Sequence, residues 1–177
     1  MNIVIQLIGG LGILASIMSF QLKKHNQVLL LRTLNEFLFA VQYFLLGAYT
    51  GMAMNIVGCV RNIIFTKQVE KGKSTTKCIV LFSILFFSFG LATWQGSKSV
   101  LIIIAKIIST IAYGNKNTSF VRKNILITST SWLVYNSLVF SIAGVLCEAF
   151  TLVSIIFGII RLDIIPVIRG DKIERRK

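Results

Sequence analysis

The stretch Ala143–Ile160, AGVLCEAFTLVSIIFGII, decides how the chain is read. It holds a single ionisable residue, Glu148. At about 1.5 Å of helical rise per residue, a run of this length crosses most of a bilayer core of about 30 Å. Moving outward from it, the same kind of run recurs at Ile3–Leu22, Val28–Gly47, Thr50–Thr66, Cys78–Trp94, Ser99–Gly114 and Val121–Ser141. Polar breaks at Lys23–Gln27, Lys67–Lys77, Gln95–Lys98 and Asn115–Phe120 separate them. Two further breaks, around Gly47–Gly51 and Ile142–Gly144, are uncharged and carry glycine, as a short hairpin between helices requires. The runs are too long and continuous for strands, and no alternating barrel pattern occurs. The expected fold is an all-α integral membrane protein with seven transmembrane helices.

Composition agrees with that reading. Of 177 residues, 55% are hydrophobic and 14% charged, and mean hydropathy is +0.79. A soluble domain of this size needs more polar surface than these residues can supply. The net charge of +13 fits either nucleic acid or an anionic membrane surface. Long apolar runs separate the basic clusters, so the lipid bilayer is the expected partner and nucleic acid is not. The first run is followed by Lys23 and Lys24 rather than preceded by positive charge, so it reads as a retained span and not a cleaved signal. Cys59, Cys78 and Cys147 sit in or beside apolar runs without CxxC spacing and read as free thiols. With His25 the only histidine, no metal, haem or other cofactor is expected, and no Ser/His/Asp hydrolase grouping. The absence of GxxxxGK[ST] and GxGxxG motifs argues against ATP-driven pumping. The chain is not expected to be an enzyme.

Seven spans place every large basic cluster on one side. These are Lys23 and Lys24; Lys67, Lys71, Lys73 and Lys77; Lys116, Arg122 and Lys123; and the tail residues Arg169, Lys172, Arg175, Arg176 and Lys177. The opposite side keeps only Lys98. The positive-inside rule then puts the amino terminus outside and the carboxyl terminus in the cytoplasm.

Spans one to three and five to seven share an order: a span, a basic loop, a span, a tight glycine-bearing turn, a span. Ser16 and Ser109, and Gly51 and Gly144, fall at one common offset; Tyr43 meets Tyr135 after a slip of one residue. Asn55 then lies opposite Glu148. Because the single span Cys78–Trp94 separates the triplets, the repeat is parallel rather than inverted. The expected organisation is two parallel three-helix bundles joined by one linking helix. Residues 1–66 form the first repeat, 67–98 the basic loop and linking helix, 99–164 the second repeat, and 165–177 a basic tail.

Ionisable groups within these spans cost about 2.5–3.5 kcal/mol each on insertion scales, and so call for a partner, a wet cavity or a function. Arg32 and Glu36 stand one helical turn apart and can pair, either to ease insertion or as a gate. Glu148 has no basic neighbour on its own helix, and Lys106 no acidic one. A Lys106–Glu148 bridge between helices is the structural expectation, and a proton, cation or solute site at Glu148 the functional one. Gln42, Asn55, Asn62 and Asn136 can bond between helices; Asn55 stands out because its repeat mate is Glu148. Trp132 either packs within the bundle or offers its ring to a solute. Arg61 and Arg161 lie near helix ends where snorkelling would reach the headgroups, and Tyr49 and Trp94 read as interfacial anchors.

Several spaced patterns carry a resemblance: Tyr43-Phe44-Leu45-Leu46-Gly47, Asn55 with Arg61, Trp132-Leu133-Val134-Tyr135-Asn136, and Glu148 followed by Gly158-Ile159-Ile160-Arg161. Over nearly its whole length the chain resembles the YgjV family of bacterial inner-membrane proteins. More distantly it is similar to the SWEET, SemiSWEET and PQ-loop transporters, with Asn55–Asn62 matching the third helix of a repeat. That likeness implies a small-solute site at Asn55, Trp132 and Glu148, with Asn136 beside them. The chain departs from the transporter pattern in its single proline, Pro166, beyond the last span. Either Gly9, Gly10 and Gly12 supply the bend of the first helix, or the rocking motion is absent. The leading expectation is a small-solute transporter acting alone or as a homo-oligomer. The alternative is a non-transporting receptor, assembly factor or scaffold.

Overall fold

A computed structural model describes residues 3–21, 25–71, 73–114 and 118–168. Lys23, Lys24, Lys116 and the tail from Arg169 onward, which enter the expected sidedness, lie outside the described residues. Seven long helices follow in order: α1 (Ile3–Gln21), α2 (His25–Leu45), α3 (Tyr49–Glu70), α4 (Thr76–Ala92), α5 (Ser97–Tyr113), α6 (Thr118–Leu138) and α7 (Ile142–Ile159). A π-helical turn, Ile160–Ile164, and the short α8 (Ile165–Ile168) close the described chain. The architecture is all-α. From 17 residues in α4 to 22 in α3, the long helices rise about 26 to 33 Å, the depth of a hydrocarbon core.

Beside a core that includes Met54, Phe82, Phe86 and Ile102, the bundle buries polar groups and exposes large apolar ones. Gln42, Asn55, Arg61, Asn62, Lys106, Thr110 and Asn136 are buried, while Leu7, Leu11, Ile84, Phe87, Leu146 and Phe157 face outward. This also explains the uneven hydropathy of the helices. Among the described residues α7 is the one helix both long and apolar enough to cross a membrane, and Ile3–Ser16 of α1 and all of α4 are shorter apolar stretches. The other four carry polar groups that point into the bundle rather than toward lipid.

Two tight turns set the geometry. After α2, Gly47 takes φ +68°, a left-handed position that glycine reaches without a Cβ clash. After α6, Phe140 takes φ +56° in the same role. Ser141 then caps α7, its hydroxyl accepting from Gly144 N at 3.1 Å. The main-chain hydrogen bonds of the two turns match residue for residue. Leu46 N donates to Gln42 O, Gly47 N to Phe44 O and Ala48 N to Tyr43 O. Val139 N donates to Tyr135 O, Phe140 N to Ser137 O and Ser141 N to Asn136 O. Each residue of the second set stands 93 positions after its counterpart, the separation of Tyr43 and Asn136. The expected equivalence of Tyr43 with Tyr135 is therefore corrected: Tyr43 corresponds to Asn136, and Gln42 to Tyr135. The slip arises because matching the two aromatic residues ignores the turn, which fixes the register.

Packing follows the same correspondence. Within each triplet the middle helix touches both neighbours: α2 packs on α1 and α3, and α6 on α5 and α7. The triplets meet along two seams, α1 on α7 and α3 on α5. Shifting by 93 residues carries either seam onto the other. Helix α4 packs against α3 and α5, where it buries Phe82, Phe86 and Gly90.

Candidate functional site

Between the triplets lies a cavity of about 110 Å³. Helices α1, α2, α3, α5, α6 and α7 line it, and α4 does not. Many lining residues are equivalents under the 93-residue shift: Ser16 with Ser109, Glu36 with Ser129, Phe39 with Trp132, Tyr43 with Asn136, and Asn55 with Glu148. The cavity thus sits where a two-fold relation between the triplets would place it. All of the sequence-predicted site residues, Asn55, Trp132, Asn136 and Glu148, face it together, as do Arg32, Glu36 and Lys106.

Toward the two tight turns the wall is aromatic and closed. The Tyr43 hydroxyl donates to Asn136 Oδ1 at 2.6 Å, joining equivalent positions of the two triplets. Trp132 stacks on Tyr43 at 5.9 Å and meets Tyr135 edge-on at 5.5 Å. Tyr135 in turn accepts from Gly51 N at 3.0 Å. Asn136 is therefore held by Tyr43 rather than presented freely to a solute. The Asn55 amide makes no side-chain hydrogen bond among the described residues, although Asn55 is only 6% exposed. Farther out, both seams are tied. Thr50 Oγ1 lies 3.0 Å from Ser99 Oγ, and Gln95 Nε2 donates to Gly47 O at 2.7 Å. On the other seam Ala143 N donates to Gln6 Oε1 at 3.3 Å, and Gln6 Nε2 to Phe140 O at 3.2 Å.

Toward the other end the wall is charged. Glu36 Oε1 accepts from Lys106 Nζ at 3.2 Å and from Arg61 Nη2 at 3.3 Å. This corrects two expected pairs. Glu36 is bound from α3 and α5, and the expected pairing with Arg32 along α2 gives way to these bridges. Arg32 Nη1 lies 3.5 Å from the Tyr113 hydroxyl. No bridge within 4.0 Å joins Lys106 to Glu148, because the Lys106 ammonium is turned to Glu36. That ammonium also lies 5.2 Å from the Trp132 ring centre.

Arg61 departs furthest from expectation. It is 1% exposed rather than snorkelling. Helix α3 continues to Glu70, which leaves Arg61 deep within the bundle. All of its N–H groups find acceptors: Nε on Asn62, Nη1 on Ser109 and Thr110, Nη2 on Glu36 and Asn62. Ser109 and Thr110 direct their own hydroxyl protons to Lys106 O, so their lone pairs face the guanidinium. Such complete satisfaction is what keeps a buried cation tolerable. The signal in the sequence was the adjacent Asn62, with Ser109 and Thr110 side by side on the fifth run.

The second carboxylate oxygen, Glu36 Oε2, is buried and has no hydrogen-bond partner. Gly58 makes the space for it, since a Cβ there would collide with that oxygen and lie 2.9 Å from Lys106 Nζ. Access is uneven along the cavity, and the charged end keeps Arg61 and Lys106 buried. Tyr43, Asn55, Asn136 and Gly144 are buried, whereas Ser16, Arg32, Asn35, Tyr113 and Thr151 are half-exposed. The lining residues nearest the connecting loops are thus more exposed than those nearest the turns. Outside it, Arg122 and Asp163 form a two-armed bridge between the start of α6 and the π-helical turn. The Arg122 guanidinium holds the Asp163 carboxyl below the usual carboxylate range.

The chain belongs to the Imp-YgjV family of bacterial inner membrane proteins, which matches residues 3–164. No curated protein and no solved structure matches it.

Proposed function

We propose that this inner membrane protein is a small-solute carrier built from two parallel three-helix repeats, α1–α3 and α5–α7, joined by α4. The solute occupies the cavity between them, against Asn55, Trp132 and Glu148. The carrying observation is that equivalent residues of both triplets line one cavity, closed at one end by hydrogen bonds on both seams. A parallel pair of repeats of this kind opens to alternate sides when one bundle rocks on the other. The amino terminus lies outside and the basic loops in the cytoplasm, so the more exposed end of the cavity faces inward.

The test needs no known substrate. In a background with Cys59, Cys78 and Cys147 replaced by serine, Asn55→Cys is exposed to an impermeant thiol reagent from each face of oriented vesicles. A carrier reacts from both faces. Reaction from one face alone, under all conditions, removes the carrier and leaves a receptor or scaffold. A reporter fused at Gln95 is expected to be active outside; cytoplasmic activity would overturn the orientation.

A further inference from the structure

Lys106 and Glu148 line one cavity and do not bond to each other. Arg61 and Glu36 cancel one another, with every Arg61 N–H engaged. Lys106 is bonded, among the described residues, to Glu36 alone, through one of the three protons an ammonium can donate. What faces the cavity is thus a cation with spare donors and, on α7, the carboxyl group of Glu148, with Arg32 also in the lining. We infer that the cavity takes a small zwitterion of the α-amino-acid kind, carboxylate toward Lys106 and ammonium toward Glu148. This rests on the reading of the cavity as the solute site and names its substrate class.

Other solute classes fit worse. A neutral sugar would displace the water solvating both charges and supply neither with a counter-ion. A lone amine would meet Lys106 and Arg32 with like charge, and a lone carboxylate would leave the Glu148 carboxyl without a cationic partner in the solute. A zwitterion leaves the local charge sum unchanged. The Asn55 amide offers one further donor and one acceptor to the charged groups. Phe39 and the Trp132 ring form an apolar wall for a short side chain. The 110 Å³ volume holds about 7 to 11 waters, at about 10–15 Å³ of such space per water, which leaves room for a small amino acid.

The experiment compares thermal unfolding of the purified full chain with L-alanine, L-serine, glucose, acetate and methylammonium at equal concentration. Alanine or serine is expected to raise the melting temperature, and the other three are not. Glu148→Gln, which preserves shape, is expected to abolish that shift. Lys106→Arg, which preserves the charge beside Glu36, is expected to weaken binding at least tenfold. A glucose shift as large as alanine's, an alanine shift unchanged in Glu148→Gln, or no shift from any solute overturns the assignment. Flux into proteoliposomes separates the two readings. Alanine that binds through Glu148 yet does not cross supports the site and removes the carrier; glucose that crosses keeps the carrier and removes the zwitterion.

Discussion

The two triplets share a backbone plan and differ in charge. Turn hydrogen bonds, seams and cavity positions recur at a spacing of 93 residues. Yet Arg32, Glu36 and Arg61 of the first triplet face Ile125, Ser129 and Ser154 at the equivalent positions of the second, and Lys106 answers to Ile13. The turn hydrogen bonds recur at this spacing and the charged network does not. The cavity between the two triplets is therefore asymmetric in chemistry, and the proposed solute with two unlike ends would be oriented in it.

Substitutions at equivalent positions break or sharpen this contrast. The largest effect is expected at Arg61. Arg61→Ser gives the first triplet the second's residue but strands Glu36 against one cation, costing about 3–5 kcal/mol in denaturant unfolding. Ser154→Ala, at the exposed equivalent, should stay within about 0.5 kcal/mol. Next comes Gly58→Ala, which drives a methyl into Glu36 Oε2. A cost of about 1–3 kcal/mol is expected, against about 0.5 kcal/mol for Thr151→Ala at the matching site. Equal losses at Gly58 and Thr151 would mean that Glu36 is not confined there.

A smaller difference separates the turns. Gly47→Ala places a Cβ in the left-handed region and should cost about 1 kcal/mol in thermal unfolding. Phe140→Ala, already a non-glycine at that conformation, adds no backbone cost. The smallest effect concerns Arg122 and Asp163, a pair without an equivalent because Leu29 stands where Arg122 would. The folded-state pKa of Asp163 is depressed, so its bridge contributes fully above the ordinary carboxylate pKa and is lost as pH falls through the lower folded value. Wild type should lose more of its melting temperature than Asp163→Asn on acidification below about pH 4.

The helices were legible because lipid imposes a length and an apolar surface. The run Ala143–Ile160 was expected as a span and is found as α7, Ile142–Ile159. That Asn55 and Glu148 line one cavity was legible through the offset shared by Ser16 and Ser109 and by Gly51 and Gly144, while Trp132 was singled out by the resemblance alone. The ion pairs were not. Sequence spacing reports neighbours on one helix, so Arg32 was assigned to Glu36, whereas the choice among Arg61, Lys106 and Arg32 depends on how α2, α3 and α5 pack. Arg61 was misjudged for a second reason: a cation near an apolar boundary looks like a headgroup anchor until the helix is known to run on to Glu70.

The stacking of Trp132 has a practical corollary. The chain contains two tryptophans, and the other, Trp94, is half-exposed at the end of α4. In a Trp94→Phe background, Trp132 becomes the sole indole emitter, in contact with both the Tyr43 ring and the Lys106 ammonium. Anything that enters the cavity and draws Lys106 away alters the field across that indole. The protein carries its own optical gauge of occupancy, readable by emission wavelength and quenching without an attached dye.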